Sequence, residues 1–254
     1  MALWDELTGQ AEAIAVVEAA ASLTDESAMT HSWLITGPPG SGRSNLAYAF
    51  AAALLGGDEA TQRQVAARTH PDLGVLSTER VIIAIEEVRQ LVASSQFSPS
   101  VGRYRVMVIE DADRMAERTS NVLLKALEEP PPRTVWILCA PSEADLIPTI
   151  RSRVRTVRLR VPDVDEVADL LVRRDGVDPA VATRAAREAQ SHIGMAHRLA
   201  TNADARGRRE RTLDIALGIR SVSDAVVAAA SLLELAKADA EALTEEKDAE
   251  ERDS

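Results

Sequence analysis

The sequence predicts an α/β fold, a parallel sheet flanked by helices, followed by a purely helical appendage. Short apolar runs, among them Trp33-Leu34-Ile35 and Val106-Met107-Val108-Ile109, alternate with segments of helical spacing. The runs are apolar without a break, the mark of strands covered on both faces. From Pro162 onward the pattern is helical throughout. Strands alternating with helices imply right-handed crossovers, and hence a parallel sheet between two helical layers.

Taken in order, Gln10–Leu23 reads as a helix with one apolar stripe, opened by Gly9. His31–Thr36 is a short buried strand ending at a glycine. Ser44–Leu55 is an Ala/Leu-rich helix stopped by Gly56-Gly57, and Asp58–Thr69 a more polar one. Asp72–Leu76 reads as a strand, and Ile85–Ser94 as a helix with Glu86 and Glu87 in its first turn. After the break at Gly102, Arg105–Ile109 is a strand. Ala116–Glu129 is a helix that Pro130-Pro131-Pro132 must end, because proline removes the N–H a helix needs. Val135–Ala140 and Val157–Val161 complete the strands. Asp165–Ala200 holds three short helices, Arg206-Gly207-Arg208-Arg209 reads as a hinge, and Ser223–Leu243 as a long Ala/Leu helix. Glu245–Ser254 is nearly all charged and is expected to be disordered. The expected division is residues 1–161 for the α/β domain, 162–201 for a small helical unit and 202–254 for a further helical segment.

Composition narrows the function classes. The 254 residues carry a net charge of −11, against a surface that grips nucleic acid as a whole, though a local basic patch is compatible. The single Cys139 rules out an internal disulfide and a cysteine-rich zinc site. Acids in Met1-Ala2-Leu3-Trp4-Asp5-Glu6 stand where a signal peptide needs bases, and no apolar run has the length of a membrane span, so a cytoplasmic protein is expected. The four histidines are too scattered for a metal site or a catalytic base, and Cys139, at a strand end, reads as a buried apolar residue. Most of the arginines Arg151, Arg153, Arg155, Arg158 and Arg160 read as solvated charge, and Lys125 as packing or a contact to DNA backbone.

Gly37-Pro38-Pro39-Gly40-Ser41-Gly42-Arg43-Ser44 matches a phosphate-binding loop between a strand and a helix. Gly37, Gly40 and Gly42 let backbone N–H groups converge as an anion nest, and the N-terminus of the following helix, with Ser41 and Asn45, adds polar groups. Ser44 is the residue that would ligate Mg²⁺. Arg43, however, replaces the usual lysine. Its planar guanidinium is not a compact point charge, which predicts weak or absent nucleotide binding and poor hydrolysis. Glu110-Asp111 ends an apolar strand where carboxylates hold Mg²⁺ and polarise water in nucleotide hydrolysis, although the usual order is Asp then Glu.

Together, Gly37–Ser44, Ile109–Asp113, the stretch Asn121–Pro131 (NVLLKALEEPP) and Pro148–Arg153 (PTIRSR) follow the order and spacing of bacterial clamp-loader subunits. Over residues 3 to 200 the chain resembles the AAA+ clamp-loader family of DNA polymerase III, on its delta-prime branch, with gamma/tau as near relatives. The resemblance implies an AAA+ domain, a three-helix lid and the start of a helical collar. It implies a ring with gamma/tau and delta subunits that places the sliding clamp on primer-template DNA during replication, with no membrane partner. It also implies an arginine finger, Arg153 beside Ser152, projected into a neighbour's ATP site, with Val154 where the family has cysteine. Several family features are missing. Leu55–His70 lacks the zinc cysteines, so no zinc is expected; Cys139-Ala140-Pro141 replaces threonines; and Ser191–Ala196 lacks the sensing arginine, for which Arg198 is a poor substitute. The collar is expected to be a fragment or degenerate. These departures describe a subunit that lends an arginine and itself hydrolyses little or no ATP. Two alternatives compete with it: a hydrolysing gamma/tau-like subunit, and a P-loop small-molecule kinase, in which the NVLLKALEEPPP and PTIRSR stretches have no role.

Overall fold

The computed structural model describes residue 4 and residues 7–22, 29–78 and 80–253. Leu23, Ser254 and all of Met1–Glu6 except Trp4, read above as a helix end, the end of the tail and a test for a signal peptide, lie outside these residues. Helix α1 (Ala11–Ala21) precedes strand β1 (Ser32–Thr36), α2 (Arg43–Leu55) and α3 (Glu59–Ala66). Next come β2 (Leu73–Leu76), α4 (Ile85–Ser95), β3 (Arg105–Ile109) and α5 (Glu117–Glu128). The sheet is completed by β4 (Thr134–Ala140), α6 (Pro148–Arg151) and β5 (Arg155–Arg158). Five parallel strands lie in the order β2-β3-β4-β1-β5.

The unbroken apolar runs have their expected cause, since every residue of β1 and β4 is buried. Alternate side chains serve opposite layers. Trp33, Ile35, Val108 and Ile137 pack with α1, α2 and α3, whereas Leu34, Met107, Ile109 and Trp136 pack with α4, α5 and α6. The register pairs Thr36 with Ala140 and Ile109 with Leu138, which brings Gly37 and Glu110 to the same edge of the sheet.

Strand β5 begins and ends earlier than the sequence suggested. It pairs only with β1, and β1 turns into the glycine loop after Thr36, so the ladder stops at Arg158 and one further bond, from Leu159 N to Thr36 O at 2.7 Å. Only Val157 of the strand is buried, leaving little periodicity to read.

Helices α7 (Val164–Asp175), α8 (Pro179–Glu188) and α9 (Ile193–Thr201) enclose their own small core of Val167, Leu171, Ala182, Ala186 and Leu199. Helices α10 (Ala203–Leu217) and α11 (Val222–Asp253) follow. The expected hinge at Arg206–Arg209 is instead continuous helix inside α10. A lone mid-helix Gly207 costs only about 1 kcal/mol, and the arginines around it bind neighbours. Arg206 donates to the Leu199 and Ala200 carbonyls at 2.8 and 3.0 Å, and Arg209 to the Glu188 carbonyl at 2.9 Å. Arg208 and Arg198 each reach Asp239 of α11 at 2.9 Å. The tail also departs from expectation, its backbone being helical as far as Asp253. No Gly or Pro follows Gly218, and Ala, Leu, Glu and Lys favour helix.

Candidate functional site at the glycine loop

The loop from Gly37 to Gly42 turns sharply between β1 and α2, with positive φ at Gly40 (78°) and Gly42 (90°). The first of these glycines is also required by space. A Cβ on Gly40 would lie 2.3 Å from Cγ of His192, the residue that caps α9, so the loop and the helical unit touch. Ser41 is buried, and its hydroxyl has no partner among the described residues. Gln10, buried at the start of α1, ties the loop to the β5 extension by donating to the Arg160 carbonyl at 2.9 Å and the Ser41 carbonyl at 3.4 Å.

Arg43 decides what the loop can hold. Its side chain is only 14% exposed and turns back into its own loop, donating to the Gly37 carbonyl and approaching Asp111 at 3.9 Å. Glu110 is equally engaged. Ser44 Oγ donates to one carboxylate oxygen at 2.8 Å, while Tyr48 OH and Arg68 donate to the other at 2.5 and 3.0 Å. Arg68 also stacks 5.4 Å above the Tyr48 ring. Burial first, then the Glu110 hydrogen bond and charge, push the Tyr48 phenol far above its ordinary range. Asp111 adopts a left-handed conformation (φ 49°) and pairs with Arg114 at 3.4 Å.

The two acids therefore differ in role despite their reversed order. Glu110 reaches Ser44, and Asp111 faces the guanidiniums of Arg43 and Arg114. The residues present do not fit a magnesium nucleotide in this arrangement. The cation on Arg43 is spent on a backbone carbonyl, and the Ser44 hydroxyl and both Glu110 oxygens are already bonded. Among the described residues, no three His, Cys, Asp or Glu side chains converge to hold a metal ion.

Beside the loop, a cavity of about 600 Å³ separates Gly42, Ser44 and the exposed Asn45 from Asp175 and His197 of the helical unit. His197 Nδ1 lies 2.8 Å from Asp175, whose carboxyl is held low by hydrogen bonds from Arg174 and then His197, against the opposing effect of burial.

Arg153 and Ser152 stand apart from this loop, just after α6. Arg153 donates to the Thr149 carbonyl at 2.6 Å and to Ser152 Oγ at 3.0 Å, and pairs with Glu128 at the end of α5. It is one-third exposed. Thus Gly37–Asn45, Glu110 and Asp111 converge, while Ser152 and Arg153 form a second locus. Sequence reasoning missed Tyr48, Arg68, His192 and Glu128. Their contacts join separate elements, and no local pattern marks them.

The parallel sheet, the glycine loop and the helical unit against it define an AAA+ fold. Among solved structures, a gamma subunit-related protein of DNA polymerase III from Thermotoga maritima superposes with a TM-score of 0.55 at 22% identity, covering 89% of this chain and 71% of that one. The RuvB Holliday junction branch migration motor of the same organism superposes at 0.58 with 18% identity, covering 88% and 70%. A family model for the DNA polymerase III delta subunit matches residues 10–163. The delta-prime subunit of Pseudomonas aeruginosa is 30% identical over 92% of this chain and 69% of its own length. That of Yersinia pestis is 33% identical over 52% of this chain and 42% of its own. The chain belongs to the delta-prime family of DNA polymerase III clamp-loader subunits. Among the described residues no helix is long and apolar enough to cross a membrane.

Proposed function

We propose that this chain is a delta-prime-like, non-hydrolysing subunit of the clamp loader that donates Arg153 to a neighbouring ATPase site while the ring places the sliding clamp on primed DNA. Its ring partners on this reading are gamma/tau and delta subunits. The observation that carries the proposal is the closure of its own loop by Arg43, which leaves no free cation for a γ-phosphate. Arg153 supports it from the other side. It sits on a short turn held by Thr149 and Ser152, and the exchange it needs, from Glu128 to a neighbour's phosphoryl group, trades one anionic partner for another. A guanidinium so placed stabilises charge on the transferring phosphoryl.

The test is ATP turnover by a reconstituted loader. Arg153→Ala should abolish the contribution of the site it serves, by about 10³-fold or more, and Arg153→Lys should not restore it. Unchanged turnover would remove the finger role. The competing gamma/tau-like reading draws on a relative, the gamma/tau subunit of Mycobacterium bovis, that is 25% identical over 94% of this chain. Tight ATP binding with steady hydrolysis by the isolated chain would favour that reading.

A further inference from the structure

The connection from α4 to β3, residues 96–104, lies at the edge of the sheet opposite Gly37 and Glu110. It presents two apolar side chains to solvent, Phe97 at 67% and Val101 at 78% exposure. Scattered exposed apolar residues need no explanation, but these are carried by a loop that is fastened with unusual thoroughness. Asp72, its side chain wholly buried just before β2, accepts from Ser100 N at 2.6 Å, Ser100 Oγ at 2.8 Å, and Val101 N and Gly102 N at 2.7 Å each. Burial alone would raise its carboxyl; the backbone N–H groups of Ser100, Gly102 and Val101 outweigh it and hold the group at about 2. From the other side Gly102 packs so closely that a Cβ there would meet the Leu55 side chain at 3.1 Å and its carbonyl at 3.2 Å. Arg105 lies 3.5 Å from Asp72 and 6.0 Å from the Phe97 ring centre, so Phe97 and Val101 flank the same buried ion pair.

Fixing two apolar side chains in water gains nothing for the isolated fold. It does reduce the entropy lost on docking, and a rigid aromatic anchor is the usual centre of an interface. Charge describes what would receive them. In a chain of net charge −11, no acid occurs between Glu87 and Glu110, while Arg89, Arg103 and Arg105 do. The fit is an apolar recess edged by carboxylates.

We propose that Phe97 and Val101, set by Asp72, form an apolar knob that enters such a recess on the sliding clamp. This rests on the clamp-loader reading. The knob includes no residue of the glycine loop, the helical unit or the Arg153 turn, so it is free of the surfaces assigned to ring neighbours and left for the protein the ring acts on.

The experiment measures binding of purified sliding clamp to the reconstituted loader, with ring assembly followed in parallel. Phe97→Ser with Val101→Ser should weaken clamp binding tenfold or more and leave assembly with gamma/tau and clamp-free ATP turnover unchanged. Arg103→Glu should weaken it as well, and added salt should lessen the difference between that variant and wild type. Clamp affinity within twofold of wild type, with the ring assembled, would overturn the knob and leave the loader reading standing. Lost assembly with clamp binding retained would make the patch a subunit interface and overturn it too. A wild-type chain that never enters the ring would overturn the loader reading and the knob with it.

Discussion

Replacing Asp72 by asparagine should cost this protein about 2–5 kcal/mol. Asparagine keeps one carbonyl oxygen and substitutes an NH2 group for the other acceptor. Either the Ser100 pair or the N–H groups of Val101 and Gly102 then face a donor. Each N–H left without its partner costs about 1–3 kcal/mol. The pH dependence tests the same bonds independently. The Asp72 carboxyl falls from the ordinary 3.8 to about 2 in the fold. At about 1.4 kcal/mol per pH unit, the shift contributes about 2 kcal/mol. Because the folded value is depressed, that contribution is complete above about pH 4 and is lost as the pH falls through 3.8 towards 2. Other carboxylates weaken over the same range in both proteins, so the quantity to follow is the difference between wild type and Asp72→Asn. Urea unfolding, read by the fully buried Trp33 and Trp136 in the sheet, should give a difference that shrinks by about 2 kcal/mol between pH 7 and pH 2.5. A difference below about 1 kcal/mol at neutral pH, or one constant with pH, would refute the account of Asp72 as the loop's anchor.

Arg43→Lys should open the glycine loop, because a lysine lacks the fork that reaches both the Gly37 carbonyl and Asp111; binding of a fluorescent ATP analogue should tighten by about tenfold or more, and equal affinities would show that Arg43 does not close the site. Gly40→Ala should destabilise the junction between loop and helical unit by about 1–3 kcal/mol, from both the positive φ and the His192 ring; adding His192→Ala should recover part of the loss in thermal unfolding, and no recovery would place the whole cost in the backbone. Cys139 is buried beside Glu110, and burial followed by that charge raises its thiol to about 12. A thiol reagent at pH 8 should therefore modify it only as fast as the sheet unfolds, and fast labelling of the native protein would contradict the packing.

Much of the architecture was legible in the chain, for a physical reason: strands covered on both faces must be apolar at every position, and Trp33–Ile35, Val106–Ile109 and Val135–Ala140 are. Helix ends were legible where one residue type forces them, as at Gly56-Gly57 and Pro130-Pro131-Pro132. The tail and the supposed hinge were misread because charge and a lone glycine weigh less than a run of strong helix formers, or than arginines with nearby carbonyls to bind.

At the site, the sequence by itself determined the glycine turn, the acids at the end of β3 and the substitution of arginine for lysine. Only the tertiary structure decided what Arg43 does. A guanidinium is charged in any fold, but whether it faces a phosphate or its own Gly37 carbonyl depends on the loop geometry and on Asp111 across the sheet. The engagement of Glu110 by Tyr48 and Arg68, and the fastening of Phe97 and Val101 by Asp72, are likewise contacts between segments distant in the chain. Such contacts arise from the packing of whole layers, and residue periodicity carries no record of them.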